Sequence, residues 1–253
     1  GMVDLWSSWI TRFDIDGYRI DTAKHVNPEF WKAFLPKIIA TAKAAGKENF
    51  PIFGEVADSD IPFLASFVTE QNFPGVLDFP FQAKVSRFAK AGGGASDVAD
   101  LFNTDDFYTS PTTSAYSLAT FLGNHDMGRI GHFIEILSGS DGPQIMMERA
   151  KLANALLFTL RGGPVLYYGD EKGMTGSGGD QLARQDMFST QVEDWKTEVR
   201  IGSAQIGNAS AFDVKNPLEA NVAELQALYK KYPALKSGAQ QVRFGLGSVF
   251  AVS

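Results

Sequence analysis

The chain alternates two apolar patterns. Short apolar runs that end on a charge are followed by longer stretches with helical spacing. Residues 16–21 read as a short strand ending on Asp21. In residues 28–46 the apolar Phe30, Trp31, Phe34, Leu35, Ile38 and Ile39 recur near the 3.6-residue period, which predicts a helix. Asn27 is positioned as its N-cap with Pro28 at the first helical position, and Gly46 stops it. Residues 51–55 predict a second strand ending on Glu55, residues 61–72 a helix, and residues 75–79 a third strand that carries Asp78. Helices are expected at 81–90 and 96–102, with Gly92-Gly93-Gly94 between them as a breaker. A fourth strand, 117–122, runs into Gly123-Asn124-His125-Asp126; a helix at 144–160 and a fifth strand at 164–169 follow.

Strands that read as continuous apolar runs and alternate with helices indicate a parallel sheet buried on both faces. No Gly-rich phosphate loop opens any of the helices, so a dinucleotide fold is unsupported. The pattern loosens over 180–217. A helix is predicted at 218–232, stopped by Pro233, and residues 240–253 alternate as an antiparallel pair with Gly245 and Gly247 near its turn.

Composition narrows the function classes. With 23 basic and 29 acidic residues and a net charge of -6, the chain has no Lys/Arg run longer than two. It therefore lacks the footprint of a nucleic-acid or anionic-membrane binder. There is no cysteine, which excludes disulfides, thiol catalysis and Cys-ligated zinc, and fits a secreted or periplasmic protein as well as a cytosolic one. No apolar stretch approaches the roughly 20 residues of a membrane span.

Working residues of parallel β/α folds lie at the C-terminal ends of strands. Asp21, Glu55 and Asp126 hold such positions, and Asp78 comes from a further strand. Glycoside cleavage needs two carboxyl groups flanking the bond, one nucleophilic and one kept protonated as the acid. Taken singly, each carboxylate reads equally well as a cap or a salt-bridge partner. Arg19 lies two residues before Asp21, so both side chains leave the same face of the strand and a positive charge stands beside the carboxylate.

The local words carry more. Gly17-Tyr18-Arg19-Ile20-Asp21-Thr22-Ala23-Lys24-His25-Val26 closely resembles the nucleophile strand of the α-amylase family, glycoside hydrolase family 13. Gly54-Glu55-Val56 is similar to its general-acid strand, and Phe121-Leu122-Gly123-Asn124-His125-Asp126 to its third conserved segment. Residues 163–171 resemble its last barrel strand, and residues 223–235 the helix that leads into its C-terminal β domain. These matches occur in family order over essentially the whole chain.

The resemblance implies a partial TIM (β/α) barrel comprising strands four to eight over residues 1–237, then the start of a truncated antiparallel β domain at 238–253. It implies a retaining hydrolase of α-1,4-glucans or maltooligosaccharides. Asp21 would be the nucleophile, Glu55 the acid and then the base, and Asp126 the residue that grips sugar hydroxyls. Arg19, Lys24, His25 and His125 would line the substrate site. Arg129 reads either as a substrate-binding residue or as a surface helix position, while His132 is unassigned. Tyr168 and Asp170 would pack and orient the mouth.

Two departures stand out. The family usually has an acidic residue where Gly123 stands, which bears on how Asp126 is held. Its first conserved segment, with a sugar-binding Asp and His and part of a calcium site, has no counterpart here. Only the backbone carbonyl of His25 would serve that calcium. The chain is accordingly expected to be the C-terminal half of a longer enzyme, weakly active or inactive alone, with self-association covering its open barrel edges. A family transglycosylase, an α-1,6-debranching enzyme and a non-catalytic carbohydrate-binding module are the competing readings.

Overall fold

The computed structural model describes residues 1–176 and 178–253. The chain divides into two compact units, residues 1–80 with 104–119, and residues 81–103 with 120–253.

The first unit is built on a parallel sheet. β1 (Tyr18–Ile20) pairs with β2 (Ile52–Gly54), Tyr18 opposite Ile52 and Ile20 opposite Gly54. β2 pairs in turn with β3 (Gly75–Val76), and Leu77 bridges in parallel to Ala119, the first residue of β4 (Ala119–Thr120). The expected parallel order is present, but the strands are shorter than the apolar runs implied. Regular pairing in β1 ends at Ile20 because the chain turns at once: Thr22 takes φ 48, in the left-handed region. Gly75 has no alternative, since a Cβ there would lie 2.1 Å from the Ser117 carbonyl oxygen.

Helices cover this sheet. α1 (Met2–Phe13) packs on α2 (Pro28–Ala44). The apolar face of α2 buries Trp31, Phe34, Leu35 and Ile38 in one core with Ile52, Phe73 and Val76. Full burial of each such side chain stabilises by roughly 1.5–3 kcal/mol. Asn27 does sit at the N-cap of α2, yet its side chain makes no capping bond, and Pro28 fixes the first turn instead. α3 (Ile61–Thr69) is capped by Asp60, whose Oδ1 accepts from Phe63 N at 2.9 Å. It stops short of the expected residue 72 because the chain turns back into β3 through Asn72, at φ 68.

In the second unit Val165 N donates to the Thr120 carbonyl at 2.8 Å, next to β5 (Gly163–Pro164). The long helix α7 (Pro143–Thr159) packs on α9 (Pro217–Lys231) through Phe158, Val222 and Leu225. α4 (Phe79–Ala91), which begins in the first unit, and α5 (Ala95–Phe102) follow the sequence pattern. α6 (Ile130–Ser138) was not predicted. Residues 180–216 hold turns, a 3₁₀ turn at Asp180–Ala183, the single-turn helix α8 (Glu193–Thr197) and one antiparallel bridge from Arg200 to Met174, in keeping with the loose patterning. After the short α10 (Ala234–Ser237), β6 (Val242–Leu246) and β7 (Val249–Val252) form the expected antiparallel hairpin. Gly245 lets β6 lie on α5, where a Cβ would meet Ala99 at 2.7 Å. No described helix is long and apolar enough to cross a membrane.

Candidate active site

The first unit brings Arg19, Asp21 and Glu55 together. Arg19 Nη1 donates to Asp21 Oδ1 at 2.7 Å and Nη2 to Glu55 Oε1 at 2.8 Å, so one guanidinium grips two carboxylates. Parallel register makes this possible: Arg19 stands opposite Phe53, and each carboxylate follows the last paired residue of its strand. The backbone locks the pair of strand ends. Glu55 N donates to Ile20 O at 2.7 Å, and Ala23 N returns a bond to Glu55 O at 2.9 Å. The left-handed turn at Thr22 aims its own N–H at Glu55 Oε2, 3.2 Å away. Backbone held in this region by its surroundings is a recurring feature of functional sites.

The two carboxylates differ in solvation. The Asp21 side chain is 66% exposed and that of Glu55 only 10%. A mostly apolar cavity of about 450 Å³ adjoins Asp21 and Arg19, walled by Trp6, Tyr18, Phe30 and Trp31. The turn after Asp21 is pinned by Trp31 Nε1, which donates to Ala23 O at 3.1 Å. His25 is exposed at the end of that turn. Lys24 is already engaged: Nζ donates to Ala57 O at 2.6 Å and lies 3.5 Å from Asp58 Oδ2. Asp58 is itself held below the ordinary carboxylate range, first by the Asp60 N–H and further by those of Ser59 and the Lys24 charge, against the opposing effect of burial. Asp78 is fully buried, with its backbone N bonded to Ala119 O at 2.9 Å.

The second unit holds Asn124, His125 and Asp126 in a closed loop. Asn124 and Gly128 exchange backbone bonds at 3.0 and 3.1 Å, and Asn124 Oδ1 accepts from the N–H of Asp126 and of Met127. This leaves Asp126 exposed, with Oδ2 3.2 Å from His125 Nε2 and Oδ1 3.3 Å from Arg184 Nη2. The loop explains Gly123. A Cβ there would lie 2.5 Å from Gly128 O and 3.0 Å from Ile130 N, so a longer residue has no room.

Arg129 requires a correction. It is neither a surface helix position nor a residue with a face for substrate, since its exposure is 0%. Nε donates to Gln185 Oε1 at 2.7 Å, and Nη1 to Asp170 Oδ1 at 2.9 Å and to Tyr168 O at 2.5 Å. Its guanidinium also lies 4.4 Å from the Tyr167 ring centroid and 5.0 Å from that of Tyr168. Burial pushes the Asp170 carboxyl up to about 6, with the Arg129 charge pulling the other way. Arg184 escaped the sequence reading altogether: it lies 58 residues beyond Asp126 in a stretch with no periodic pattern to place it.

Carboxylates at the ends of parallel strands, beside an aromatic-walled cavity, have the arrangement that glycoside cleavage requires. Residues 1–203 match the family model described as alpha amylase, catalytic domain. An alpha-amylase of Streptomyces lividans is 41% identical over 244 residues, covering 96% of this chain and 27% of that protein. A cyclomaltodextrinase of Geobacillus thermopakistaniensis is 30% identical, covering 94% of this chain and 34% of its own length. Among solved structures, an alpha-amylase from Geobacillus thermoleovorans complexed with acarbose superposes with a TM-score of 0.76 at 24% identity, over 99% of this chain and 48% of that one. The chain belongs to the α-amylase family, and its fold is that of part of these solved structures. It spans between about a quarter and a half of the length of these relatives.

Proposed function

We propose that the protein is a retaining α-glucan hydrolase acting on the α-1,4 bonds of starch or maltooligosaccharides. The observation that carries this is the Arg19 guanidinium bonded to both Asp21 and Glu55 at the ends of adjacent parallel strands. Asp21 attacks the anomeric carbon and forms the glycosyl ester, while Glu55 gives its proton to the leaving glycosidic oxygen. Glu55 then takes a proton from water, which opens the ester and returns the sugar with its original configuration. Asp126 and His125 bind sugar hydroxyls, Asp126 most strongly as the oxocarbenium-like charge develops. Lys24 and His25 line the leaving-group side.

In this reading the strands are the fourth to eighth of a (β/α)8 barrel. Residues 1–237 belong to that barrel and 238–253 open a β domain. The share of each relative that the chain covers supports a site completed by further protein, so the 253 residues alone are weakly active or inactive, and self-association covers their open edges. The calcium site that the resemblance implies is a structural one. The His25 carbonyl is the one contribution assigned to such a site, and no step of the reaction depends on it.

The test uses the complete gene product with a maltooligosaccharide. Asp21→Asn and Glu55→Gln should each lower kcat by several orders of magnitude, and the first product formed should be the α-anomer. Release of the β-anomer sinks the retaining mechanism. The cyclomaltodextrinase relative keeps cyclic glucans in view as substrate, and transferred glucan in place of free reducing sugar would favour a transglycosylase.

A further inference from the structure

Within the second unit, the segment 178–184 closes on the loop that carries Asp126. Asp180 N donates to the Asp126 carbonyl at 3.1 Å. Arg184 Nη2 reaches Asp126 Oδ1 at 3.3 Å and Asp180 Oδ1 at 2.9 Å. The 3₁₀ turn at Asp180–Ala183 thus brings a backbone donor and a side-chain donor to one residue. The other carboxylate oxygen, Oδ2, lies 3.2 Å from His125 Nε2. Residues 178–184 lie outside the motifs that carry the family resemblance, and the reaction described above assigns them no part.

Glycine permits this approach from both sides. A Cβ on Gly179 would lie 2.6 Å from Asp126 O and 3.2 Å from Met127 C, and one on Gly128 would lie 3.0 Å from Gly178 O. These neighbours are backbone atoms, which cannot swing aside as the end of a side chain can. Gly179 has extended backbone, φ -91 and ψ -175, that any residue adopts. What it supplies is space. The next residue, Asp180, is held at φ 51, in the left-handed region that a non-glycine residue enters at a cost. Backbone strain is therefore accepted at the residue whose N–H meets the Asp126 carbonyl.

Asp126 is exposed, and an unrestrained side chain in water samples several rotamers. Contacts on both of its oxygens and on its carbonyl select one. A group that tightens its grip as the transition state forms must already stand in place, because reorganising during the reaction forfeits the gain. An exposed ion pair adds little to stability. The value of the Arg184 contact lies in where it holds the carboxylate.

We infer that Gly179 and Arg184 are positioning residues for the reaction: they fix Asp126 in the orientation in which it meets sugar hydroxyls. That Asp126 acts on the sugar rests on the function proposed above; that the segment 179–184 fixes Asp126 rests on the geometry alone.

The test measures kcat and KM of the complete gene product on a chromogenic maltoside, beside urea unfolding. Gly179→Ala displaces Asp126 without removing a side chain, and should lower kcat by about 10- to 100-fold with KM within about twofold. Gly178→Ala, whose Cβ would meet Leu182 Cδ1 at an ordinary 3.4 Å, should leave both constants unchanged. Arg184→Ala should lower kcat about tenfold, again at nearly constant KM. Arg184→Lys should recover most of that loss, since a single nitrogen, Nη2, makes both contacts. In an Asp126→Ala background, Gly179→Ala and Arg184→Ala should each cost no more than about a further twofold, because groups that act through one residue are not additive. Full losses in that background overturn the proposal. So does a raised KM at unchanged kcat, which would make Arg184 a sugar ligand, and so does a kcat loss matched by an equal fall in the folded fraction. If Asp126→Ala keeps the parent's kcat, the role proposed for Asp126 fails. If Asp126→Ala is impaired while Gly179→Ala and Arg184→Ala are not, that role stands and the positioning role alone fails.

Discussion

Two arginines, each within three residues of an aspartate in a family motif, have opposite surroundings. Arg19 lies two residues before Asp21, and its side chain is 33% exposed at the end of a parallel strand. It holds two carboxylates that face solvent unequally. Arg129 lies three residues after Asp126 and is sealed from solvent. It bonds Asp170, Gln185 and the Tyr168 carbonyl, with two tyrosine rings against its guanidinium. Nearness to a motif does not assign a role. Water does: a cation left at the solvent boundary remains free to act on groups that meet substrate, whereas a cation enclosed with its partners becomes part of the framework.

The largest effect expected from this contrast is on activity. Arg19→Ala in the complete gene product should lower kcat by roughly 100- to 1000-fold, the scale of removing one fixed electrostatic group from an active site. Urea unfolding should change by about 1–3 kcal/mol, because the Asp21 side of the pair is solvated while the nearly buried Glu55 keeps only the Thr22 N–H. A variant that keeps its turnover and loses stability instead would move Arg19 into the framework class. Arg129→Ala should do the reverse on stability. It strands a buried Asp170 and costs about 3–5 kcal/mol in the same unfolding measurement. Arg129→Lys should recover little, since a point charge cannot serve the Nε and Nη1 partners together. A loss below about 1 kcal/mol would mean that the buried network is idle.

Much of the first unit was legible because its signals are local. The apolar spacing of Phe30, Trp31, Phe34, Leu35 and Ile38 gave α2, and alternating short runs gave the parallel order β1-β2-β3. Strand lengths were not legible: pairing stops where backbone geometry turns, as at Thr22, and no residue type there announces φ 48. Asp60 is a cap whose side chain bonds the helix, whereas Asn27 is the cap residue by position only. In the second unit the decisive contacts join residues about 40 to 60 positions apart, such as Arg129 with Asp170 and Gln185, and Arg184 with Asp126. No periodicity links such residues. Arg129 therefore read as either a surface residue or a sugar ligand, although it is neither exposed nor free. Gly123 could be seen as a departure from the family, but its cause, the Gly128 carbonyl 2.5 Å from any Cβ, is visible only in three dimensions.

Acid titration sharpens the buried side of the comparison. Asp170 holds its proton up to about 6 in the fold, against a reference value of 3.8, with burial as the main cause and Arg129 opposing it. Between those values the folded state binds more protons than the unfolded one. The stability from this group is therefore full below the unfolded value and is lost as pH rises through the folded one. At about 1.36 kcal/mol per pH unit, the whole window is worth roughly 3 kcal/mol at most. The stability of the protein relative to its Asp170→Asn variant should accordingly fall by up to that amount between about pH 4 and about pH 7. A difference that grows with pH over this window would show that the Arg129 charge outweighs burial.

The smallest effect belongs to a third arginine, and it tests whether exposure is the deciding variable. Arg184 bonds two carboxylates, as Arg19 does: Asp180 at 2.9 Å and Asp126 at 3.3 Å. Its side chain is 47% exposed, and those of its partners 49% and 71%. Holding a long side chain between them costs rotamer freedom, while water solvates all three groups well when they separate. Arg184→Ala should therefore destabilise by about 0–1 kcal/mol, with less effect at high salt, where exposed charges are screened. A double-mutant cycle of Arg184→Ala with Asp180→Ala, four residues apart, should return a coupling of about 0.3–0.5 kcal/mol. A loss of about 2 kcal/mol or more that salt leaves unchanged would place Arg184 beside Arg129, and partner number rather than solvent access would then separate the two kinds of arginine.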